Sequence, residues 1–263
     1  MNSQLSLEAA KHGTSTSPNA GASWKGLTIS VLGVDGSGKT TLQQELCCWL
    51  QREHEVVSIY FGSGKGPMSH SRRLLSFVGR TRHFFMRNRE VSSAATTEKL
   101  GSRSSESSDP ALRPRLRFIL DSLLVARERK RSLKKMLNAK AAGSIVITDR
   151  FPQIQVLDGM DGPRLHSRRT SSSSLMRVAA NWEFHIYQLV VQHQPDLVIV
   201  LSVSPDVAAG RSGFHSVDSI KNRIGRLSQL DFPESVLTLI DADQPFEVVL
   251  EEAKRSVGKH LPS

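Results

Sequence analysis

A glycine-rich loop between an apolar strand and an amphipathic helix is the feature that most constrains the fold of this chain. The β-branched, apolar run from Leu27 to Leu32 leads directly into the pattern Gly33-x-x-x-x-Gly38-Lys39-Thr40. Apolar residues then recur at helical spacing, at Leu42, Leu46, Trp49 and Leu50. A strand, a loop of this spacing and a helix, in that order, are the context in which such a loop binds phosphate groups. The sequence therefore predicts a P-loop.

The chemistry expected of this loop follows from its glycines and from the start of the helix. Glycines at 33, 36 and 38 let successive backbone N–H groups point into one concavity, and the helix adds its unpaired amides and the positive end of its dipole. Lys39 is expected to reach the outer phosphates of a nucleoside triphosphate, and the Thr40 hydroxyl is expected to contact the bridging Mg²⁺. The residues predicted to bind the nucleotide are Gly33, Asp35, Gly36, Ser37, Gly38, Lys39, Thr40 and Thr41.

A second charged element ends another apolar strand. The buried-type run at 144–148 terminates in Asp149-Arg150. In an open parallel sheet, ligands collect at the carboxyl ends of the strands, so Asp149 is predicted to share the magnesium site with Thr40. Arg150 is predicted to donate in a fork to a phosphate group. The alternative is an ordinary ion pair at a strand end.

Strand and helix patterns alternate along the rest of the chain. Further strand-type runs occur at 56–61, 198–203 and 236–240, and helical patterns occur at 110–142, 175–191, from 205 and at 246–257. This alternation is typical of an α/β fold in which helices cover both faces of a parallel sheet. The length of 263 residues allows one large domain or two small ones, and one domain over residues 25–263 is the simpler interpretation.

Three segments fit this pattern poorly. Residues 1–24 lack an apolar period and are predicted to form a disordered tail, because ordering them would cost entropy without burying much surface. Basic and apolar residues mix in 69–89, which predicts a helix with a basic face. Residues from about 91 to 110 are rich in serine and are predicted to form a mobile insertion.

The charge balance suits an anionic partner. Lys and Arg number 35 against 25 acids, and ten of them lie between Arg113 and Lys140, which hold only two acids. Most of these side chains are expected to point to solvent. Contact with nucleic acid is the alternative, and it is disfavoured because few aromatic residues interleave with the cations to stack on bases.

The sequence has no run long enough to cross a membrane and no recognisable signal or transit segment, which predicts a protein of the cytoplasm without a membrane partner. The only cysteines, Cys47 and Cys48, are adjacent in the helix that follows the P-loop, so neither a mutual disulfide nor a metal site is expected. Both are interpreted as small packing residues.

Two polar segments are further candidates for substrate contact. The stretch 158–171 contains two Asp-Gly turns and three arginines, and from it Asp161 and Arg164 are candidates for contact with an acceptor, with ordinary turn chemistry as the alternative. A polar segment after the fourth strand is a candidate to close over the nucleotide through Arg211, His215, Lys221 and Arg223.

With these motifs in place, the sequence resembles the thymidylate kinase family of P-loop nucleoside monophosphate kinases. The similar parts are 33–41, the strand end Asp149-Arg150-Phe151, the stretch 195–208 that begins Pro-Asp-Leu, and 239–245. The resemblance implies a P-loop NTPase fold, a three-layer sandwich whose five-stranded parallel sheet is covered by helices. It also implies transfer of the γ-phosphoryl group of ATP to an acceptor, often a nucleoside monophosphate, and a homodimer.

The resemblance also implies roles for individual residues. The P-loop acid, Asp35, would hold a hydroxyl of the acceptor sugar, and Arg150 would grip the acceptor phosphate. A lid after the fourth strand makes Arg211 a candidate for contact with the nucleotide or the transferring phosphoryl group. Together with Lys39, these residues form the expected catalytic set. Phosphoryl transfer needs alignment and charge neutralisation rather than a covalent residue.

Two other functions stay open at this stage. One is a P-loop ATPase or nucleotide switch that has no metabolite acceptor and docks through the basic helix. The other is a nucleic-acid-associated kinase or ATPase, which charge reversal at Arg129, Lys130 and Arg131 would test, because phosphate contacts make binding depend steeply on salt. The resemblance does not name the acceptor, because Phe151-Pro152-Gln153 stands where thymidylate kinases carry a polar, tyrosine-containing segment.

Overall fold

The computed structural model describes residues 24–62, 112–157, 161–213 and 215–262. The five strands are β1 (Leu27–Gly33), β2 (Val56–Tyr60), β3 (Ile145–Asp149), β4 (Leu197–Ser202) and β5 (Leu237–Asp241). The helices within these ranges are α1 (Lys39–Leu50), α2 (Leu112–Ala141), α3 (Ser174–Val191), α4 (Pro205–Ser212), α5 (Val217–Leu227) and α6 (Phe246–Gly258), and a 3₁₀ turn spans His166–Arg168.

All five strands are parallel and lie in the order β2-β3-β1-β4-β5. The central strand β1 pairs with β3 on one side and with β4 on the other, so that Val31 lies beside Asp149 and Gly33 beside Leu201. This register brings the ends of β1 and β3 to the same edge of the sheet. The predicted α/β fold with a five-stranded parallel sheet is confirmed.

The sheet is buried on both faces, which explains why its strands are nearly continuous apolar runs. On one face, Ile29 and Val31 pack in a cluster with apolar residues of α1 and α6. On the other face, Leu32 and Val146 pack in a cluster with apolar residues of α2 and α3. One cluster lies between the sheet and the helices on each face, so the domain has three layers: helices, sheet and helices.

The ends of α2 and of the N-terminal segment are fixed by specific contacts. The helix stops before Gly143, which adopts a positive φ of 86°, as the sequence predicts. The indole N–H of Trp24 donates to the Gly143 carbonyl at 2.8 Å. Residue 24, predicted as the last of a disordered tail, is therefore held against the domain.

Several predictions concern residues that the structure does not describe. Residues 1–23, the proposed basic helix at 69–89 and the proposed serine-rich insertion at 91–110 lie outside the described ranges. Within the described ranges, each strand differs from its predicted run by one residue at one or both ends.

The two cysteines of α1 have different surroundings. Cys47 packs partly against the core, whereas Cys48 is exposed because it lies about 100° further around the helix. The interpretation of Cys48 as a packing residue was wrong. Among the helices of the described ranges, none combines the length and apolar character needed to cross a bilayer.

Candidate functional site

The predicted P-loop forms the tight turn between β1 and α1. The Ser37 N–H donates to the Val34 carbonyl at 3.2 Å, and Gly36 and Gly38 have φ angles of 86° and 88°, in the left-handed region that favours glycine. The α-helix then begins at Lys39, with Gly38 as its N-cap. The loop therefore ends on the first free amides of a helix, which is the arrangement that favours an anion.

Gly36 is also required by packing. A Cβ atom at this position would lie 2.2 Å from the carbonyl oxygen of Ala208 in α4. At Gly38, by contrast, a Cβ would meet no atom within 4 Å. The P-loop is thus pressed against α4 at Gly36 and open at Gly38.

The Lys39 side chain is buried at the base of the loop, with 8% of its surface exposed. Its ammonium donates to the Val34 carbonyl at 2.5 Å. Burial, together with the neighbouring Arg150, lowers the pKa of Lys39 to about 8, although the carboxylates of Asp35 and Asp149 oppose this shift. A phosphate bound at this position would raise the pKa of Lys39 again, so protonation of Lys39 and anion binding are coupled.

Asp149 lies at the end of β3 and is partly buried. Burial raises its pKa, and the neighbouring Arg150 and Lys39 oppose this effect. Its Oδ1 atom is buried without a hydrogen-bond partner, and so is Oγ of Ser37 in the P-loop. Buried polar atoms of this kind need a partner, and a ligand at this edge of the sheet would supply it.

The oxygen donors at this edge fit Mg²⁺. Thr40, whose hydroxyl is the second donor predicted by the motif, lies in the first turn of α1 and is exposed. Mg²⁺ is usually bound through one or two protein oxygens together with substrate phosphates and water, rather than in an all-protein cage. The described residues include no group of three or more His, Cys, Asp or Glu placed to hold a metal ion.

Three basic side chains lie beside the Asp35 carboxylate. Arg150 Nη2 lies 3.4 Å from Oδ1, His215 Nε2 lies 3.3 Å from Oδ2, and Arg223 forms an ion pair with Oδ2 through Nη1. Burial alone would raise the pKa of Asp35, but the surrounding charges of Lys39, Arg150, Arg223 and His215 outweigh it and lower the pKa. Asp35 is therefore a carboxylate at neutral pH.

Arg150 connects Asp35 to a second carboxylate. It follows β3 with a positive φ of 66°, which is uncommon for a residue with a side chain. Its Nη1 lies 3.2 Å from Oδ2 of Asp161. Burial would lower the pKa of Arg150, but the Asp161 carboxylate raises it, so the guanidinium stays charged.

Arg129 of α2 is part of the same network, which corrects an expectation from the sequence. Its side chain was expected to point to solvent with the other cations of the helix, but only 3% of it is exposed. Nη2 lies 3.3 Å from Asp161, Nε donates to the Phe61 carbonyl at 3.1 Å, and the guanidinium lies 4.6 Å from the centre of the Tyr187 ring. Charge reversal at Arg129 would therefore disrupt the interior rather than test a surface for nucleic acid.

A cavity of about 700 Å³ opens beside these charges. Gly33, Val34 and Asp35 form its border with the P-loop. Its charged lining includes Arg129, Arg150, Asp161, Arg164, Arg223 and Arg226, and its apolar lining includes Leu32, Tyr60, Phe118, Phe151, Leu157, Leu227 and Leu230. A space with apolar walls and convergent cations suits a small molecule that carries an anionic group.

Glu183 of α3 holds the loop that contributes Asp161 and Arg164. This α3 residue is fully buried, and its carboxylate accepts the N–H groups of Arg164 at 3.0 Å and Leu165 at 2.6 Å. Burial raises the pKa of Glu183, whereas the two backbone hydrogen bonds lower it.

The Arg164 side chain donates to Asp121 at 2.6 Å and lies 4.8 Å from the Phe118 ring centre. Sequence reasoning missed Glu183, although it shares the buried face of α3 with Ala180, Tyr187 and Val190.

The predicted lid residues are divided between two places. Arg223 reaches Asp35, whereas Arg211, at the last turn of α4, donates to the Ala242 carbonyl at 2.8 Å, beyond the end of β5. Lys221 is exposed on α5. The structure thus brings together Lys39, Asp35, Asp149 and Arg150 and places Arg211 in contact with the β5 exit.

The strand order, the parallel sheet and the glycine-rich loop between β1 and α1 define an α/β fold typical of P-loop NTPases. No protein-family model matches the chain. The chain is similar to the uncharacterized ATP-binding protein YghR of Escherichia coli strain K12, with 28% identity over 231 residues that cover 88% of this chain and 86% of YghR. It is also similar to the uncharacterized ATP-binding protein YghS of the same strain, with 26% identity over 234 residues that cover 89% of this chain and 93% of YghS.

Proposed function

We propose that the protein is an ATP- and Mg²⁺-dependent phosphotransferase that moves the γ-phosphoryl group of ATP to a nucleoside monophosphate or a related small metabolite. One observation carries the proposal. The cavity of about 700 Å³ opens at the P-loop, and Asp35 and Arg150 line it at that border. A nucleotide on the loop and a second molecule in the cavity would therefore meet beside these two side chains.

ATP is the proposed donor because of the loop and because YghR and YghS are named as ATP-binding proteins. Its phosphates would lie on the amides of Gly36 to Thr41, with the Lys39 ammonium as a desolvated point charge beside them. Mg²⁺ would be held by the Thr40 hydroxyl and the Asp149 carboxylate, whose buried Oδ1 has no hydrogen-bond partner. When bound, the Mg²⁺ ion would neutralise part of the negative charge of the phosphates.

The acceptor would lie in the cavity with its anionic group toward Arg150. Asp35 is held as a carboxylate by its cationic neighbours, so it can accept a hydrogen bond from an acceptor hydroxyl. The apolar part of the acceptor would contact Phe151, which packs edge to face on Phe61 with ring centres 5.6 Å apart. These assignments agree with the resemblance to thymidylate kinases.

The residues of this site supply alignment and charge rather than a covalent intermediate. Cations at Lys39 and Arg150 lie where negative charge would accumulate on the transferring group, and stabilisation of such charge commonly contributes more to catalysis than any other single effect. A nucleotide switch would need the P-loop alone. The adjoining cavity, lined by Arg129, Arg150 and Arg164, favours a kinase over a switch, because a switch does not need a second small-molecule site beside the P-loop.

The test is ADP formation by the purified full chain with MgATP and a panel of nucleoside monophosphates and sugars. At least one acceptor is expected to raise the rate, and Lys39→Ala is expected to lower the stimulated rate by about a hundredfold or more. Lys254→Ala, which changes an exposed-face lysine of α6 paired with Glu251, is the matched control. Slow ATP hydrolysis that no acceptor stimulates would favour the switch, and equal activity of the parent and Lys39→Ala would overturn the proposal.

A further inference from the structure

The outer edge of β2 offers backbone groups for pairing. The strand is outermost in the sheet order. The Ile145 N–H donates to the Glu55 carbonyl at 2.8 Å, so the backbone groups of Glu55 point towards β3. In a parallel strand, the N–H and C=O groups of one residue point to the same side, and this side alternates from each residue to the next. Val56, Ser58 and Tyr60 therefore direct their N–H and C=O groups away from β3. In the part of the chain that the structure describes, no strand pairs with this edge.

A groove of about 510 Å³ runs between this edge and α2. Val57, Ala139 and Ala142 supply its apolar lining. Arg131, Lys134 and Lys135 supply its cations, and Glu55 is the only acid among its lining residues. An edge strand beside an apolar groove with predominantly positive charge is the geometry of a peptide-binding surface.

The cations of this surface lack partners of opposite charge within the described ranges. Five exposed residues of α2 form no ion pair with any residue that the structure describes: Arg127, Lys130, Arg131, Lys134 and Lys135. A helix stabilised by its own charges would alternate acids with bases at a spacing of three or four residues. A concentration of unneutralised positive charge instead attracts an anionic partner.

The groove is separate from the phosphate-binding edge of the sheet. Glu55 and Ser144 precede β2 and β3, so the groove lies at the amino ends of the strands, whereas Asp35 and Asp149 lie at the carboxyl ends. Along α2, the groove residues Arg131, Lys134 and Lys135 are exposed, whereas Arg129 of the cavity is buried. The charges of the groove therefore do not serve the proposed phosphoryl transfer.

We propose that this surface binds an extended acidic peptide segment of a partner protein, which adds to β2 as a sixth strand. Backbone groups of the segment pair with Val56 and Ser58. Its side chains alternate between the two faces, so that those on the α2 side fill the apolar groove and bring carboxylates to Lys134 and Lys135. Nucleic acid would use the cations but neither the strand edge nor the apolar lining.

The probe is a fluorescein-labelled peptide with the repeat Val-Thr-Glu-Thr, which places Val and Glu in turn on one face of an extended strand. It is titrated with the full chain and followed by fluorescence anisotropy. It is expected to bind, and to bind more weakly as salt rises, because the charges are exposed. Lys134→Glu/Lys135→Glu is expected to weaken binding about tenfold or more. Arg255→Glu/Lys259→Glu, an equal change on exposed residues at the end of α6, is the matched control and is expected to bind as the parent does. Unchanged thermal unfolding shows that both variants fold.

Amide hydrogen exchange separates strand addition from simple charge attraction. The peptide is expected to slow exchange at the Val56 and Ser58 amides, and replacement of its central Val by Pro is expected to weaken binding by removing a backbone donor. The proposal is overturned if the peptide does not bind, or if these amides exchange equally fast with and without peptide. It is also overturned if a short oligothymidylate binds more tightly than the acidic peptide.

Discussion

Arg129 and Arg150 bind opposite oxygens of a single carboxylate, that of Asp161, at 3.3 and 3.2 Å. One guanidinium comes from the middle of α2 and the other from the end of β3, so Asp161 fixes the position of two elements of the cavity at once. Without this carboxylate the two cations would repel each other across the cavity wall. Several expectations about the protein depend on this contact.

Asp161→Asn is expected to loosen the acceptor side of the site and leave the nucleotide side intact. Loss of the charge leaves Arg129 buried beside a neutral group, which lowers the free energy of unfolding by about 1–3 kcal/mol. Arg150 loses one of its two anchors, so the KM for the acceptor is expected to rise about tenfold, while the affinity for MgATP stays unchanged.

Chemical denaturation and steady-state kinetics measure these effects. Glu45→Gln, which changes an exposed acid of α1, is the control and should match the parent in both assays. A variant that loses affinity for nucleotide and acceptor equally would contradict the role given to Asp161.

Nucleotide binding is expected to weaken as the pH rises through about 8, because burial lowers the pKa of Lys39 to about 8 and the ammonium is then lost. Lys39→Arg keeps its charge at every accessible pH and should show a flat profile over the same range. Isothermal titration with MgATP between about pH 7 and about pH 9.5, on either side of this pKa, measures the difference. Parallel profiles for the parent and for Lys39→Arg would show that another group controls binding.

The lowered pKa of Lys39 also predicts how the stability of the fold depends on pH. The pKa of Lys39 is lower in the folded protein, at about 8, than the ordinary value of 10.5, so the unfolded chain binds more protons between these two pH values. Stability therefore rises with pH in this window, by about 3 kcal/mol at most, and the cost of burying the ammonium is fully present below about pH 8. Lys39→Met removes this contribution, and denaturant unfolding at several pH values is expected to show a flatter profile for the variant.

Gly36→Ala is expected to distort the P-loop, because its new Cβ would lie 2.2 Å from the Ala208 carbonyl and because φ is 86° at this position. The free energy of unfolding is expected to fall by about 2 kcal/mol or more, and nucleotide binding is expected to be lost. Gly225→Ala in α5 is the matched control. It meets nothing within 4 Å and lies in a helix, where alanine is favoured by about 0.5–1 kcal/mol. Thermal unfolding of both variants, with opposite shifts, tests the contrast.

Arg223→Ala is expected to lower acceptor-dependent turnover more than Arg211→Ala. Arg223 contacts Asp35 at the border of the P-loop and the cavity, whereas Arg211 contacts the Ala242 carbonyl. The first variant should lose about a hundredfold in kcat and the second about tenfold or less. Asn222→Ala, an exposed neighbour of Arg223 on α5, is the control. A larger effect at Arg211 would place the transferring group nearer to the end of β5.

The sheet and the P-loop could be predicted from the sequence because both are encoded locally. A strand of a parallel sheet is buried on both faces and so appears as a continuous apolar run, and the loop has its own glycine spacing. The placement of Asp149 and Arg150 near Lys39 follows from one topological rule, that ligands collect at the carboxyl ends of the strands.

The inward position of Arg129 could not be predicted from a local sequence pattern in this way. Every α2 residue from 127 to 131 is charged, and only packing against Tyr187 and Phe61 decides which cation faces the interior. A signal was present, because Arg129 continues the buried spacing of Val125, Ala126, Leu133 and Met136. The contact between Arg223 and Asp35 joins residues 188 positions apart and depends on the tertiary fold alone.

The charges that begin at Arg129 and pass through Asp161, Arg150 and Asp35 to Arg223 alternate in sign and leave one positive charge in excess. Each interior member of this row is held on both sides by its neighbours, so the row is preorganised by the protein itself. An arriving dianion then needs to displace few side chains, and little of its binding energy is consumed in immobilising flexible arginines. In the proposed reaction, selectivity at such a row would depend on the charge and length of the incoming group, and Phe118 and Phe151 of the cavity lining would contact the rest of the molecule.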